Sequence, residues 1–509
     1  MVRFVRALVL GIVLGAQTVA CGLFADLGSP KTFGPDTPPG ATDAQDGDEP
    51  IDGGDGGMPA PIAEALGDAQ TDAGFDGTES GPPDDGQSAA ADEGDLADTT
   101  WSGDAVSDRP EDTGDSGEIE DADDAGPALQ ASAVALGPTE ACAIVLGGPS
   151  MPSSVRCWGS NGAGELAADP ARIASSWTPL PVSGLASPPA SLTLASGYAC
   201  AVTSDHYLYG WGKGPPDPQV RRAAVAGYQA SVMYFNGIQL ASVTTASVGQ
   251  GGGCTTLLDG SLVCWGAFGA RGVFDATVPL DGGPVTIPDS FETVVVGRAH
   301  ACGIATRGTT RDVECWGANA RGQVGIQSTS AVPAPTPVGL ENRGRILQVA
   351  VGGDDSCAVL SDGSVYCWGA NDTGQLGSLV EAGVDAATPS HIPLPHPAKQ
   401  VAVGNTHVCA LLDDGSVVCW GDNSAAQIGI GTAGGRQVTP TNVLRFTFGV
   451  SKLLQGVGQI AAGGQTTCAL GALGSPIWCW GANDSGQAGQ PPSAEAGLSV
   501  VPYATAMAL

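Results

Sequence analysis

The sequence predicts an all-β fold, a seven-bladed β-propeller preceded by a disordered acidic linker, and three observations carry that prediction. The first is a tryptophan flanked by glycine at Trp158, Trp211, Trp265, Trp316, Trp368, Trp420 and Trp480, recurring at steps of 53, 54, 51, 52, 52 and 60 residues. The second is a cysteine pair enclosing a short turn just before most of these tryptophans, as in Cys357-Ala-Val-Leu-Ser-Asp-Gly-Ser-Val-Tyr-Cys367-Trp368. The third is an abrupt change of composition near residue 130, before which the chain is acidic and poor in apolar residues. Self-similarity at about this period is the signature of a repeat architecture, and four short strands per unit is that of a propeller blade.

The chain starts with Met1-Val-Arg3-Phe-Val-Arg6, an apolar run from Ala7 to Ala16, and Thr18-Val19-Ala20-Cys21-Gly22. This reads as an export signal over residues 1–21. The run is too short for a transmembrane helix, which needs about 20 apolar residues. The small residues before Cys21 resemble the lipobox of bacterial lipoproteins, which implies a diacylglycerol on Cys21 and a membrane anchor in the cell envelope. Thr18 departs from that pattern, in which leucine is commonest; cleavage after Ala20 that leaves an unmodified cysteine is the alternative.

Residues 22–130 hold 29 Asp plus Glu against Lys31 and Arg109, which is −27 of the total −33. Such a segment cannot bury enough apolar surface to offset the entropy of ordering it, so a disordered tether is expected. Asp46-Gly-Asp48 and Asp52-Gly-Gly-Asp55 do not complete the spacing of a calcium loop. The charge argues against nucleic acid or anionic lipid as partners of this arm.

Residues 131–509 hold the seven units. In Cys409-Ala-Leu-Leu-Asp-Asp-Gly-Ser-Val-Val-Cys419, two apolar runs flank Asp-Asp-Gly, a hairpin turn with Gly415 left-handed. If Leu412 and Ser416 close the loop, alternation places Cys409 opposite Cys419 at a non-hydrogen-bonded position suited to a disulfide. The same logic pairs Cys254 with Cys264 and Cys357 with Cys367, while Cys142/Cys157, Cys302/Cys315 and Cys468/Cys479 enclose longer turns. The second unit has Gly210 in place of the second cysteine, so Cys200 is expected as a free thiol, either buried in a decayed repeat or reactive. The fifth unit is read as Pro335–Leu340, then Ile346–Gly353, then the hairpin around Asp362-Gly363. Small, alternating segments such as Val349-Ala-Val-Gly352 suit the strand nearest the axis. The first unit, starting at Ala131, then lacks an outer strand, and residues 498–507 are expected to supply it and close the ring.

Residues 401–423 read Val-Ala-Val-Gly-Asn-Thr-His-Val-Cys-Ala-Leu-Leu-Asp-Asp-Gly-Ser-Val-Val-Cys-Trp-Gly-Asp-Asn, and Gly-Gln-Leu-Gly closes the fifth unit. This resembles the repeats of the regulator of chromosome condensation family, over residues 131–509. The resemblance implies a seven-bladed propeller. It implies no single function, since members exchange guanine nucleotide on a nuclear GTPase, inhibit, receive light or serve ubiquitin ligases.

No catalytic constellation stands out, and no catalytic residue, metal ligand or cofactor is assigned. His300 and His407 occupy one repeat position, filled elsewhere by Tyr198 or Asp355, and read as turn hydrogen-bonders. His391 and His396 lie in a Pro-rich loop without cysteine or carboxylate partners, and His206 stands apart. The Ser-Asp-Gly turns, with serine and aspartate adjacent, do not match the Asp-box of sialidases. The expectation is an exported, envelope-anchored, monomeric protein-binding or scaffold module, with an unidentified protein partner and no nucleic acid. A secreted hydrolase or lyase and a structural envelope component are the alternatives. The candidate contact loop follows Trp211, where Lys213-Gly-Pro-Pro-Asp-Pro replaces the usual turn and Arg221, Arg222, Tyr228, Tyr234 and Phe235 follow. Arginine and aromatic side chains are enriched at interface centres. The long insertion from Gly429 to Gln455 is the second place to look.

Overall fold

Leu411 pairs with Val417 and Cys409 with Cys419 across one antiparallel hairpin. Leu412 N donates to Ser416 O at 2.9 Å, and Gly415 turns the chain at φ 80°. Asp414 Oδ1 fixes the turn by accepting from Ser416 N at 2.9 Å and Ser416 Oγ at 2.6 Å. An antiparallel hairpin recurs in each of the seven sheets, and in six of them a strand flanks it on both sides among the described residues.

The computed structural model describes residues 130–148, 151–213, 220–222, 227–235, 238–266, 290–307, 310–472, 476–492, 499–507 and 509. The leader, Cys21 and the acidic segment to residue 129 lie outside the described residues, as do residues 214–219 of the loop after Trp211. The described residues form an all-β, seven-bladed propeller, with no helix among them.

Six blades run outward from an inner strand through the hairpin to an outer strand, as in Ala398–Val403, His407–Leu412, Val417–Asp422 and Arg436–Asn442 of the sixth, and the described residues of the third show its inner strand and hairpin. Inner strands from all seven blades line a central channel of about 560 Å³. The core sits between blades, where each blade's apolar face covers the next: Trp420 packs with Val401 and Val403 on one side and Leu376 and Ile392 on the other. All seven marker tryptophans are buried.

Two expectations about strand order are corrected. Val332–Pro337 pairs with Thr310–Gly317 and so ends the fourth blade rather than opening the fifth. The chain passes through the loop after Trp316 and returns antiparallel beside the strand it has just left. By the same rule the first blade owns its outer strand, Ser175–Pro181, and Val500–Met507 is the outer strand of the seventh. The ring therefore closes by packing of the first blade on the seventh, without exchange of a strand. Trp158 Nε1 donates to Gln487 O at 2.9 Å across that seam.

The seventh sheet carries an addition. The hairpin Leu444–Thr447 and Val450–Leu453 attaches to the outside of Val500–Met507 through the parallel pairing of Arg445 with Ala504.

Candidate functional site

The repeat-equivalent side chains are committed to the scaffold. After five of the seven tryptophans stands Asn-x-x-Gly-Gln or a close variant, and Asn371 shows its use. Its Oδ1 accepts from Leu376 N at 2.9 Å and its Nδ2 donates to Glu381 O at 2.8 Å. Gln375 Oε1 accepts from Thr373 N at 3.0 Å, while its carbonyl accepts Trp420 Nε1 of the next blade at 2.8 Å. Trp211, Trp368 and Trp480 bond the preceding blade in the same way, to Glu165, Gln323 and Gln427. Trp265 Nε1 is buried without a partner, and the blade before it lacks the Asn-x-x-Gly-Gln sequence.

The channel is likewise spoken for. Gln400 Nε2 donates to Ile460 O at 2.7 Å and its Oε1 accepts from Ile460 N at 2.9 Å, bracketing the neighbouring inner strand. Gln348 does the same to Val401. Arg311 bonds Glu292 and Ile346 O, and Lys399 Nζ donates to Asp413 O at 2.6 Å. One end of the channel narrows to a glycine-lined cavity of about 100 Å³. A Cβ on Gly352 would meet Gly404 O at 2.0 Å, so only glycine permits this approach of blade to blade.

Beneath that end lies one repeat position filled by Glu140, Tyr198, His300, Asp355 and His407. It opens the second strand of its blade, and each of the five is buried. His300 Nε2 lies 2.8 Å from Ser356 Oγ and His407 Nε2 lies 2.7 Å from Thr467 Oγ1, both in the next blade. The two histidines therefore bridge blades; the reading of them as turn hydrogen-bonders is corrected. Burial pushes His300 down to about 3 and His407 to about 4. Burial also pushes Glu140 up to about 8, holds Asp355 well above the usual carboxylate range, and raises the Tyr198 phenol. Each group is sealed into its seam, and the Ser356 and Thr467 hydroxyls beside the two histidines are themselves fully buried.

The reading of His391 and His396 as loop residues without carboxylate partners is corrected: His391 lies in the strand Ala386–Ile392 and stacks edge-on against Tyr366 at 5.4 Å, and His396 Nδ1 lies 3.8 Å from Asp413 Oδ1. His206 turns the chain at φ 66° with its Nδ1 3.1 Å from Val243 O. Among the described residues, no group of three or more His, Cys, Asp or Glu could hold a metal ion.

The six hairpin disulfides join Cys142 to Cys157, Cys254 to Cys264, Cys302 to Cys315, Cys357 to Cys367, Cys409 to Cys419 and Cys468 to Cys479. Every Cα–Cα distance is 4.1 Å, the spacing of non-hydrogen-bonded pairs. Cys200 is buried opposite Gly210, outside any disulfide, with its Sγ 3.5 Å from Met233 Sδ.

Of the candidate contact loop, Val220–Arg222 forms a strand that pairs with Ser231–Phe235, setting Arg221 opposite Tyr234 and Arg222 opposite Met233. Tyr228 is 38% exposed and leans on Gly164 of the first blade, whose added Cβ would meet the ring at 2.6 Å. Tyr234 is half-buried. Residues 220–239 thus add two short strands outside the second blade, as 444–453 do outside the seventh. The strands of the second addition escaped sequence reasoning, although the insertion itself was visible as the one long step between tryptophans.

The sequence profile of the regulator of chromosome condensation (RCC1) repeat matches residues 313–359 and 362–411, and a second profile of that repeat matches 346–375, 398–427 and 458–487. The chain carries RCC1 repeats. It is 34% identical over 183 residues to HERC6 of Homo sapiens, covering 35% of this chain and 17% of that one. It is 31% identical over 203 residues to the ultraviolet-B receptor UVR8 of Arabidopsis thaliana, covering 39% of this chain and 43% of that one. The chain thus spans less than half the length of these curated relatives. Among solved structures it resembles human WBSCR16, at TM-score 0.56 and 19% identity over 69% of this chain and 94% of that one. It also resembles yeast RCC1 (Prp20) in a complex with Kap60, at TM-score 0.55 and 17% identity over 70% of this chain and 84% of that one. These likenesses show the fold.

Proposed function

We propose that this chain is an envelope-anchored binding module: an RCC1-repeat propeller without catalytic activity of its own, tethered by residues 22–130 to a lipid on Cys21 and presenting a surface to a protein partner. The observation that carries the reading is the division of labour within the ring. Side chains at repeat-equivalent positions are spent on seams between blades, as Trp420 on Gln375 and His407 on Thr467 show. What differs between blades lies on their outer strands, above all in the additions at 220–239 and 444–453. Such irregular outer segments are where a rigid scaffold carries recognition. Support for protein binding comes from relatives of the same fold, since Prp20p of Saccharomyces cerevisiae was solved together with its binding properties to Gsp1p and histones.

The anchor is tested by growing cells with a clickable fatty acid. The wild-type chain takes the label and Cys21→Ser does not; a labelled Cys21→Ser protein overturns the anchor. The contact surface is tested by cross-linked capture from an envelope extract, with Arg221, Arg222 and Tyr228 replaced together by alanine. Loss of a partner from a variant that melts like the parent supports the blade-two surface, and retention of every partner excludes it.

A further inference from the structure

We propose that the hairpin 444–453 is a membrane-contacting wedge that inserts its apolar tip into an anionic lipid surface. The reading is independent of any lipid on Cys21. The hairpin ends in Phe446-Thr-Phe448-Gly-Val450, and these three apolar side chains are 55%, 99% and 55% exposed. Phe448 and Gly449 form the two-residue turn, at φ 51° and 78°. Both values lie in the left-handed region, where such turns favour Asn-Gly and a bulky aromatic is disfavoured. Phe448 therefore costs the fold stability and packs against nothing, which points to a role outside the chain.

The base is rigid. Leu444 N donates to Gly429 O and Leu454 N to Val443 O, each at 2.9 Å, and Val443 and Leu454 are fully buried. Phe446 stacks on Tyr503 at 5.3 Å, and Ser451 Oγ lies 3.3 Å from the Tyr503 hydroxyl. The tip is thus held out from the outer edge of the seventh blade.

Charge identifies the surface it meets. Arg445 and Lys452 sit directly opposite each other on the hairpin, a pairing of like charges that is unfavourable by itself. Arg445 Nε is buried without a partner, and neither residue forms an ion pair among the described residues. Between Asp422 and Asp484 the chain has no acidic residue and three cations, Arg436, Arg445 and Lys452, within a protein of net charge −33. Arg445 precedes Phe448 by three residues, about 10 Å along a strand. That is about the depth between acyl chains and phosphates at a bilayer surface, so the tip reaches hydrocarbon as the cations reach headgroups. A convex apolar tip needs a matching pocket on a protein partner, whereas a bilayer deforms to receive it.

The test is co-sedimentation of the chain from residue 22 onward with vesicles of phosphatidylcholine, with and without phosphatidylglycerol. Binding should require phosphatidylglycerol. Phe448→Ser, which alters only an exposed side chain, should weaken it at least about tenfold. Arg445→Gln with Lys452→Gln should abolish the preference for the anionic lipid while the melting temperature stays that of the parent. No binding to either vesicle, or full binding by Phe448→Ser, overturns the proposal. So does a protein captured by the wild type and lost by Phe448→Ser where vesicles do not bind, which assigns the tip to that protein. Cross-linking of Lys452 to carboxylates of residues 22–130 without vesicle binding assigns it to the chain's own acidic segment and overturns the proposal equally.

Discussion

Trp158 Nε1 donates to the carbonyl of Gln487 at 2.9 Å, across 329 residues of sequence. The bond repeats the one from Trp420 to Gln375, which spans 45 residues, at the same position in its blade. The seam where the ends of the propeller meet is therefore built like a seam inside it. Trp158→Phe and Trp420→Phe should each cost roughly 1 to 3 kcal/mol, since each removes a buried donor and leaves its carbonyl unpaired. Denaturant unfolding of the two variants checks this. A cost for Trp158→Phe near zero beside a large one for Trp420→Phe would mean that the ring is open in solution.

Gln400 brackets Ile460 through both N and O, while Gln459 reaches Val134 N at 3.2 Å and Val134 O at 3.4 Å across the closing seam. Inner strands are sheet edges, and these glutamines satisfy backbone groups that the sheet leaves unpaired. Gln400→Ala should destabilise by about 2 to 4 kcal/mol, and Gln459→Ala by less because its bonds are longer. Equal costs measured by denaturant unfolding would contradict this ranking.

Non-reducing peptide mapping should recover Cys357 with Cys367 and Cys409 with Cys419, all links staying within a blade. Each link closes a small loop, so each contributes on the order of 2 to 3 kcal/mol. Cys200 is 0% exposed, so alkylation should reach it only after unfolding. Modification in the folded state would show that the second blade opens.

Cysteine spacing made the hairpin register legible in three blades, because a separation of 10 positions leaves room for one turn and fixes the alternation around it. The tryptophan period made the blade count legible. The phase of the outer strands was not, because Val332–Pro337 and Arg436–Asn442 are Pro- or Thr-rich and mix exposed with half-buried residues, with no apolar alternation to tie them to the preceding hairpin. The inter-blade role of His300 and His407 was hidden for another reason. Their partners Ser356 and Thr467 lie 56 and 60 residues away, and nothing local in the sequence links them. The wedge hairpin was missed as strands because its turn is Phe-Gly where Asn-Gly is the readable signal.

The buried ring of ionisable groups makes stability depend on pH with opposite signs. Burial holds Glu140 at about 8 against an ordinary 4.5, so between those values the folded chain binds a proton that the unfolded chain has lost. Stability therefore falls as pH rises through that window, by on the order of a few kcal/mol. Asp355, also raised by burial, acts in the same direction. His407 acts oppositely: pushed by burial from 6.5 to about 4, it stays neutral when folded while the unfolded chain takes a proton, so stability rises with pH from about 4 to 6.5. His300, at about 3, adds to that rise. Above 6.5 the histidines no longer contribute and the carboxyl effect stands alone, so melting temperature should drop between pH 6.5 and 8. Glu140→Gln keeps an acceptor for Thr139 N and Oγ1, each 3.1 Å from Glu140 Oε2, and cannot ionise. It should flatten the alkaline drop, while His407→Gln should flatten only the acid side. A Glu140→Gln profile that falls as steeply as the parent's from 6.5 to 8 would show that Glu140 is not the group responsible.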